Sequence, residues 1–530
     1  MSRVVGAVAA DRDERRSGGE IASTDLHRGA VAVLGAAAVA LLLLRVPLAQ
    51  TPGVWIDEAF SLYHAQQPIA RLWTEGWRLE SSPPLYYSLL WAWIRVVGDS
   101  EVGARLMSLG LTAATTWMVA ASARALAGRL AGAIAGVVVL LPALAFEYSV
   151  EIRPYPLQLM CVALTLWGVA RALVAHRARR LDGAPALART LASIVLPAAA
   201  AFYVHTTSFA FLAALAIATA AYGLATRAGR GYAKTWLAAC AVLVVLCLPQ
   251  AFMAAGVATS NRAGLAWMPP TFHLSTQSLV WRHVALGQIY WPVAIAWSLA
   301  GAVYLSILAA AWRMRARPEV LAVGAAVPLV GTLTLIAAGA LQSVLMARTA
   351  LWLWVPFAVL VGCAASTLSW RRWPPWIAAV AVLGLAAATT LAYLDDRPMQ
   401  RPWPGVIDEL GTRIGRDDRV LVLDPELGCL LERYAQGSLR TAPRGRIEPG
   451  PRPRFRGQRL DITCNRLVPV APETLARESL GADWVLTGDD TQRRELDALL
   501  RREPLLQATE RIMRGGRSLA TRVGVRPAAP

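Results

Sequence analysis

In VWIDEAFSLYHAQ, Val54 to Gln66, two carboxylates, Asp57 and Glu58, stand side by side just after a long apolar run. Three other short stretches set polar groups beside apolar ones. EYSVEIRPYPL, Glu147 to Leu157, carries Glu151, Arg153 and Tyr155; FYVHTTSF, Phe202 to Phe209, carries His205; QSVLMARTALWLWVP carries Arg348. A carboxylate can take a proton from a hydroxyl within reach. Arginine is always charged and can donate two parallel hydrogen bonds to a phosphate. Ionisable groups at or below a membrane interface are costly and tend to face a cavity or a partner. A pocket gathering all four stretches would hold acid, base and cation together. Each residue also has a plainer role. An acid pair suits a solvated helix start, Arg153 can snorkel or pair with Glu147 or Glu151, His205 can be a satisfied interfacial residue, and Arg348 can anchor a span. On spacing alone an enzyme and a transporter fit equally.

The elements that must position these residues are membrane spans. Of the 530 residues 56% are hydrophobic and only 17% charged, with a mean hydropathy of +0.43. A span takes roughly 20 mostly apolar residues, and about eleven segments qualify or nearly do: 29–48, 101–123, 128–146, 155–175, 190–204, 207–226, 234–254, 289–312, 319–340, 349–369 and 374–394. The expected fold class is therefore an α-helical polytopic membrane protein. The polar start lacks a cleavable signal sequence, so the first span is expected to be retained. The net charge of +18 is almost all arginine, and it falls in alternate short loops, for example Arg124 and Arg129, then Arg177, Arg179 and Arg180, then Arg313, Arg315 and Arg317. That is the positive-inside pattern rather than a nucleic-acid surface. It places the tail 1–28 in the cytoplasm and the four stretches outside. Two outer loops are long, 50–100 and 255–288. Within the first, Pro83 to Gly98 is too short to cross and, with Tyr86, Tyr87, Trp91 and Trp93, suits an interfacial helix.

From residue 395 to 530 the composition turns polar. RVLVLD and DWVLTG read as buried strands, and VIDELGTRIG, ETLARESLG and TQRRELDALLRRE as helices, so a small α/β domain outside the membrane is expected. The Pro/Gly/Arg-rich stretch 440–457 reads as a loop. Cys161, Cys240, Cys247 and Cys363 lie in spans as small packing residues, whereas Cys429 and Cys464 lie in the outer domain, where an oxidising exterior permits a disulfide.

WIDEAFSLY, SSPPLYYSLL, GDSEVGARL and EYSVEIRPYPLQL, in that order, resemble the dolichyl-phosphate-mannose–protein mannosyltransferase-like group of GT-C membrane glycosyltransferases, to which the lipid A aminoarabinose transferases are related. The likeness covers about residues 29–210, and MARTALWLWVPF and RPWPGVIDELGTRIGRDDRVLVL extend it weakly. Ser81-Ser82, where many members carry histidine, and Pro156, where a small residue is common, depart from the pattern. The resemblance implies a bacterial cytoplasmic-membrane enzyme. It would move a sugar from a polyprenyl-phosphate donor to a hydroxyl of an envelope glycan, lipid or protein, with inversion at the anomeric carbon. It implies Asp57 as the base with Glu58 in support, Arg153, Arg348 and Tyr155 at the donor phosphate, and His205, Tyr86 and Glu151 at the acceptor pocket. No metal-ligand cluster is visible and no cofactor is required, although a divalent ion at the acidic motif is compatible with the class. The competing readings are a transferase for arabinofuranose from the same kind of carrier and a transporter or flippase of lipid-linked glycans. The absence of an internal repeat and the clustering of polar groups at one face favour the enzyme.

Overall fold

The computed structural model describes residues 28–368, apart from 52, 77–81, 178–183, 261–267, 269 and 287–292, and then 384, 391, 402–413, 419–422, 427, 430, 433–434, 446–449, 484–487, 490–502, 506–514 and 517–525. The N-terminal tail, the expected span 374–394 and both Cys429 and Cys464 lie outside the described residues, apart from positions 384 and 391.

Helices dominate, as the apolar runs require. Among the described residues eight are long and apolar enough to cross a membrane: α1 (Arg28–Gln50), α4 (Glu101–Ala127), α7 (Tyr155–His176), α9 (Ser208–Ala225), α10 (Tyr232–Val257 within a longer helix), α12 (Val293–Arg313), α13 (Pro318–Ala338) and α14 (Arg348–Ala365). Shorter helices are α2 (Ile56–Gln66), α3 (Pro84–Val97), α5 (Arg129–Val138), α6 (Ala143–Tyr148), α8 (Ala184–Val204) and α11 (Leu274–Leu286). The chain is a multi-pass membrane protein.

Three sequence expectations need correction. The run 128–146 is not one span: α5 stops at Val138, a turn follows, and Pro142 starts α6 afresh. Proline lacks the N–H that a continuous helix needs and clashes with the preceding turn. The described residues of the outer loop 255–288 are largely helical, because the α10 helix runs on to Ser260 and α11 fills Leu274–Leu286. Within 440–457, Arg446–Pro449 forms a strand.

The interior is built on α4, α7 and α14. The α4 helix packs along α5 and α7, α14 lies against α4 and α5, and α8 and α9 close the other side against α10 and α13. Buried faces fit because small residues let backbones approach. A side chain at Gly168 of α7 would collide with the Ser193 carbonyl of α8, and one at Gly362 of α14 with Ala131 and Ala135 of α5. By contrast α10 and α12 leave many leucines and valines exposed, as lipid-facing helices do.

After α15 (Trp403–Arg413) comes a five-stranded sheet of β1 (Arg419–Val422), β2 (Arg446–Pro449), β3 (Trp484–Leu486), β4 (Leu506–Arg514) and β5 (Arg517–Val525), with α16 (Asp490–Arg502) between β3 and β4. Its order is β2-β1-β3-β5-β4. The β1 strand pairs in parallel with β2 and β3, while β5 runs antiparallel to β3 and β4. Trp403, Trp484, Leu486, Ile512 and Ala520 share a buried cluster with Val54, Phe60, Tyr86 and Met107, so this part packs onto the elements around Asp57.

Candidate active site

The α2 helix begins after Trp55, and Asp57 and Glu58 occupy its first turn, where carboxylates suit the helix dipole. Neither is a wet helix end: both are buried. Their side chains diverge into different environments.

Glu58 is locked. Its Oε1 accepts from Arg105 Nε at 3.1 Å and from the backbone N–H of Ile152 at 3.1 Å. Its Oε2 accepts from Arg105 Nη2 at 3.0 Å, and from the N–H of Trp55 at 3.4 Å in a capping interaction. Arg105, from α4, has no exposed surface, and it also donates to the carbonyls of Thr51 and Gly53, each at 2.6 Å. A buried charge pair persists only when its remaining donors and acceptors are satisfied, and here they are.

Asp57 faces two arginines. Its Oδ2 lies 3.3 Å from Arg348 Nη1 and 3.6 Å from Arg153 Nη2. Arg153 Nη1 also donates to the Asp57 carbonyl at 3.2 Å and to Ser61 Oγ at 3.3 Å, while Ser61 Oγ donates to that same carbonyl at 2.9 Å. Arg153 comes from the irregular segment between α6 and α7. That segment is held by Ser108 Oγ donating to the Glu151 carbonyl at 2.5 Å, by the Ile152–Glu58 bond, and by Arg45 Nε donating to Ser149 Oγ at 3.1 Å. Arg348 opens the first turn of α14, and its side chain keeps 17% of its surface exposed, against 4% for Arg153. It is the cation that a ligand reaches first.

The aromatic residues complete the wall. Tyr155 starts α7 with its ring edge-on to Tyr148 at 4.7 Å and tilted against His205 at 5.3 Å. His205 lies in the turn between α8 and α9, with Nδ1 2.8 Å from Thr207 Oγ1. Burial first, then the Arg153 and Arg348 guanidiniums, lowers the His205 pKa to about 3. His205 is therefore neutral at physiological pH and can line the pocket as a hydrogen-bonding group rather than as a cation.

Tyr86, on α3, is fully buried, and its hydroxyl has no hydrogen-bond partner among the described residues. Burial, and after it the neighbouring Tyr87 hydroxyl, pushes its pKa well above the usual value, a trend Arg153 opposes and Glu58 and Glu151 reinforce. Glu151 is buried at the same corner. Tyr86 has no exposed surface, and Glu151 keeps 3% of its own exposed.

Asp57, Arg153 and Arg348 thus meet directly, with Tyr155 and His205 adjoining. Sequence reasoning missed Arg105, Ser61 and Arg45 as supports. The signal for Arg105 was an arginine inside an otherwise apolar span, which must find a partner.

Among the described residues no three His, Cys, Asp or Glu side chains gather as a metal ion would need. The groups around Asp57 are cations, and both Glu58 oxygens are engaged. These residues do not fit a divalent ion.

No protein-family model matches the chain, and no curated protein does. Solved structures do. ArnT from Cupriavidus metallidurans in the apo state superposes with a TM-score of 0.53 at 14% identity, covering 91% of this chain and 96% of that one. The Archaeoglobus fulgidus oligosaccharyltransferase, tethered to an acceptor peptide containing the NVT sequon, gives 0.51 at 12% identity, covering 86% and 69%. The fold is GT-C-like.

Proposed function

We propose that the chain is a membrane glycosyltransferase that moves a sugar from a polyprenyl-phosphate carrier to an acceptor hydroxyl at the outer face of the cytoplasmic membrane. The observation that carries this reading is the Asp57 carboxylate held between Arg153 and Arg348. A base beside two cations matches the charges of that reaction. The fold shared with a transferase that acts on an acceptor peptide supports it.

In this reading the donor phosphate docks on Arg348 and Arg153, which exchange Asp57 for phosphate oxygens. The exchange releases the Asp57 carboxylate to face the acceptor hydroxyl. The acceptor oxygen attacks the anomeric carbon from the side opposite the phosphate, and its proton passes to Asp57 as the new glycosidic bond forms. The bond from the anomeric carbon to the phosphate oxygen breaks, and the polyprenyl phosphate leaves with the bonding electrons. The guanidiniums stabilise the charge that grows on it. Displacement in one step inverts the anomeric carbon. Tyr155 and neutral His205 line the sugar and acceptor side. The base lies on the outer side, the N-terminus in the cytoplasm and residues 395–530 outside, following the arginine pattern. Any carrier-linked sugar, arabinofuranose included, satisfies the same charges.

Deleting the gene and comparing lipid-linked sugars with envelope glycans tests the reading. A carrier-linked sugar should accumulate while one glycan, lipid or protein loses that sugar, and the wild-type chain should restore both. A deletion strain with neither change would overturn it.

A further inference from the structure

We infer that Tyr434 is a positioning residue, through which the C-terminal part of the chain fixes the segment leading to Asp57. The inference rests on the proposed transferase reading for its effect on rate, but the contacts stand by themselves. The Tyr434 hydroxyl accepts from the backbone N–H of Val54 at 2.7 Å and donates to Glu101 Oε1 at 2.5 Å. Its neighbour Arg433 pairs with the same Glu101 oxygen at 3.7 Å and donates to the Asp99 carbonyl at 3.0 Å. Glu101 Oε2 in turn lies 4.0 Å from Arg105 Nη1, so the outer contact adjoins the cation that locks Glu58.

Thr51, Gly53 and Val54 are consequently gripped from both sides. Arg105 takes the carbonyls of Thr51 and Gly53, and Tyr434 takes the Val54 N–H. The grip has something to restrain. Gly53 sits at φ 86°, a region open to glycine and strained for other residues, so no side chain of its own stiffens the link between the Arg105 contacts and Val54. Val54 is fully buried, and without Tyr434 its N–H would be left without this partner away from water. Helix α2 starts two residues later, and Asp57 is its second residue. A shift at Val54 therefore passes straight into the carboxylate. Burial, then the hydrogen bond and charge of Glu101, raises the Tyr434 pKa above its ordinary value. The hydroxyl thus keeps the proton it donates.

The test uses the full chain in lipid nanodiscs, with Tyr434→Phe and, separately, Glu101→Gln. Phenylalanine keeps the ring and removes only the hydroxyl. Hydrogen exchange of the peptide spanning Thr51 to Phe60 should speed up roughly tenfold at Val54, with peptides from α7 and α14 unchanged. With a polyprenyl-phosphate sugar as donor, kcat should fall roughly tenfold with the donor KM little changed, because Arg153 and Arg348, although they touch Asp57, are carried by the segment before α7 and by the start of α14. The double variant should be little worse than either single one, since both break the same tie. Unchanged exchange at Val54 would overturn the tie itself. Faster exchange with unaltered kcat would overturn its positioning role, and so would equal losses in exchange protection across α7 and α14, which mark general loosening. If the wild-type chain transfers no sugar, the function reading fails, while the exchange measurement still decides the contact.

Discussion

Asp57 and Glu58 are neighbours in sequence, both acids, both buried, and each faces arginine, yet the two corners they occupy are built differently. At the Glu58 corner one arginine meets both carboxylate oxygens at 3.0–3.1 Å, and backbone N–H groups take what capacity remains. Nothing there is left for a ligand, and neither side chain reaches the surface. At the Asp57 corner two arginines share one oxygen at 3.3 and 3.6 Å, and one of them is partly exposed. A contact of 3.6 Å is an ion pair rather than a good hydrogen bond. Two cations on one oxygen repel each other, and in the proposed reaction a donor phosphate arriving between them would relieve that repulsion. Short contacts without exposure mark the Glu58 pair, and longer contacts with partial exposure mark the Asp57 corner. The tight corner fixes Ile152, and with it Arg153, so that the loose corner has a defined shape.

The sharpest way to break this contrast is to neutralise each acid without changing its size. Asp57→Asn should lower transfer about 10²–10⁴-fold, the range that a lost general base commands, while the purified variant still elutes as a single folded species. Transfer within about threefold of wild type would remove Asp57 as the base.

Next in size is the other corner. Arg105→Ala strands the Glu58 carboxylate in the interior and should cost about 3–5 kcal/mol of stability. It should be read as a large drop in folded yield and in thermal midpoint. Arg105→Lys should rescue little of this, because an ammonium cannot meet two carboxylate oxygens and two carbonyls in one plane. A stable Arg105→Ala protein with reduced transfer only would mean that the two corners do not divide the work as described.

Much of this arrangement was legible in the sequence, for physical reasons that can be named. Asp57, Arg153 and Arg348 drew attention because charge beside apolar runs needs a cause, and all three meet. The short helix at Pro84–Val97 was readable from the apolar run after Pro83. Arg105 was not assigned a role, because Glu101 sits one turn before it and offers a local partner. The actual partner lies 47 residues away, on another helix. The Val54–Tyr434 bond joins positions 380 apart, and no periodicity reports such a contact. In the C-terminal part, β1, β3, α15 and α16 follow from their apolar runs and helical spacing. The hairpin of β4 and β5 escaped because LQATERIMR and RSLATRVGV break the apolar–polar alternation that marks a strand, and their pairing with each other decides the matter. The break after Val138 was visible in LLPAL but was overridden by the length of the apolar run.

Ser61 offers the finest test of the contrast, because it lies one helical turn after Asp57 and touches the loose corner alone. Its hydroxyl accepts from Arg153 Nη1 and donates to the Asp57 carbonyl, so it sets the angle of one guanidinium without carrying charge. Ser61→Ala removes both bonds but leaves Arg153 its pair with the Asp57 side chain and its bond to the Asp57 carbonyl. A neutral hydrogen bond is worth about 1 kcal/mol net, or roughly fivefold in an equilibrium. Since Arg153 is assigned to the donor phosphate, the loss should fall on donor KM, by about two- to fivefold, with kcat and thermal midpoint almost unmoved. A loss of kcat at constant donor KM would place Arg153 with the base and not with the phosphate. The division between Arg153 and Arg348 would then have to be redrawn, with Arg348, the more exposed of the two, as the principal anchor of the donor.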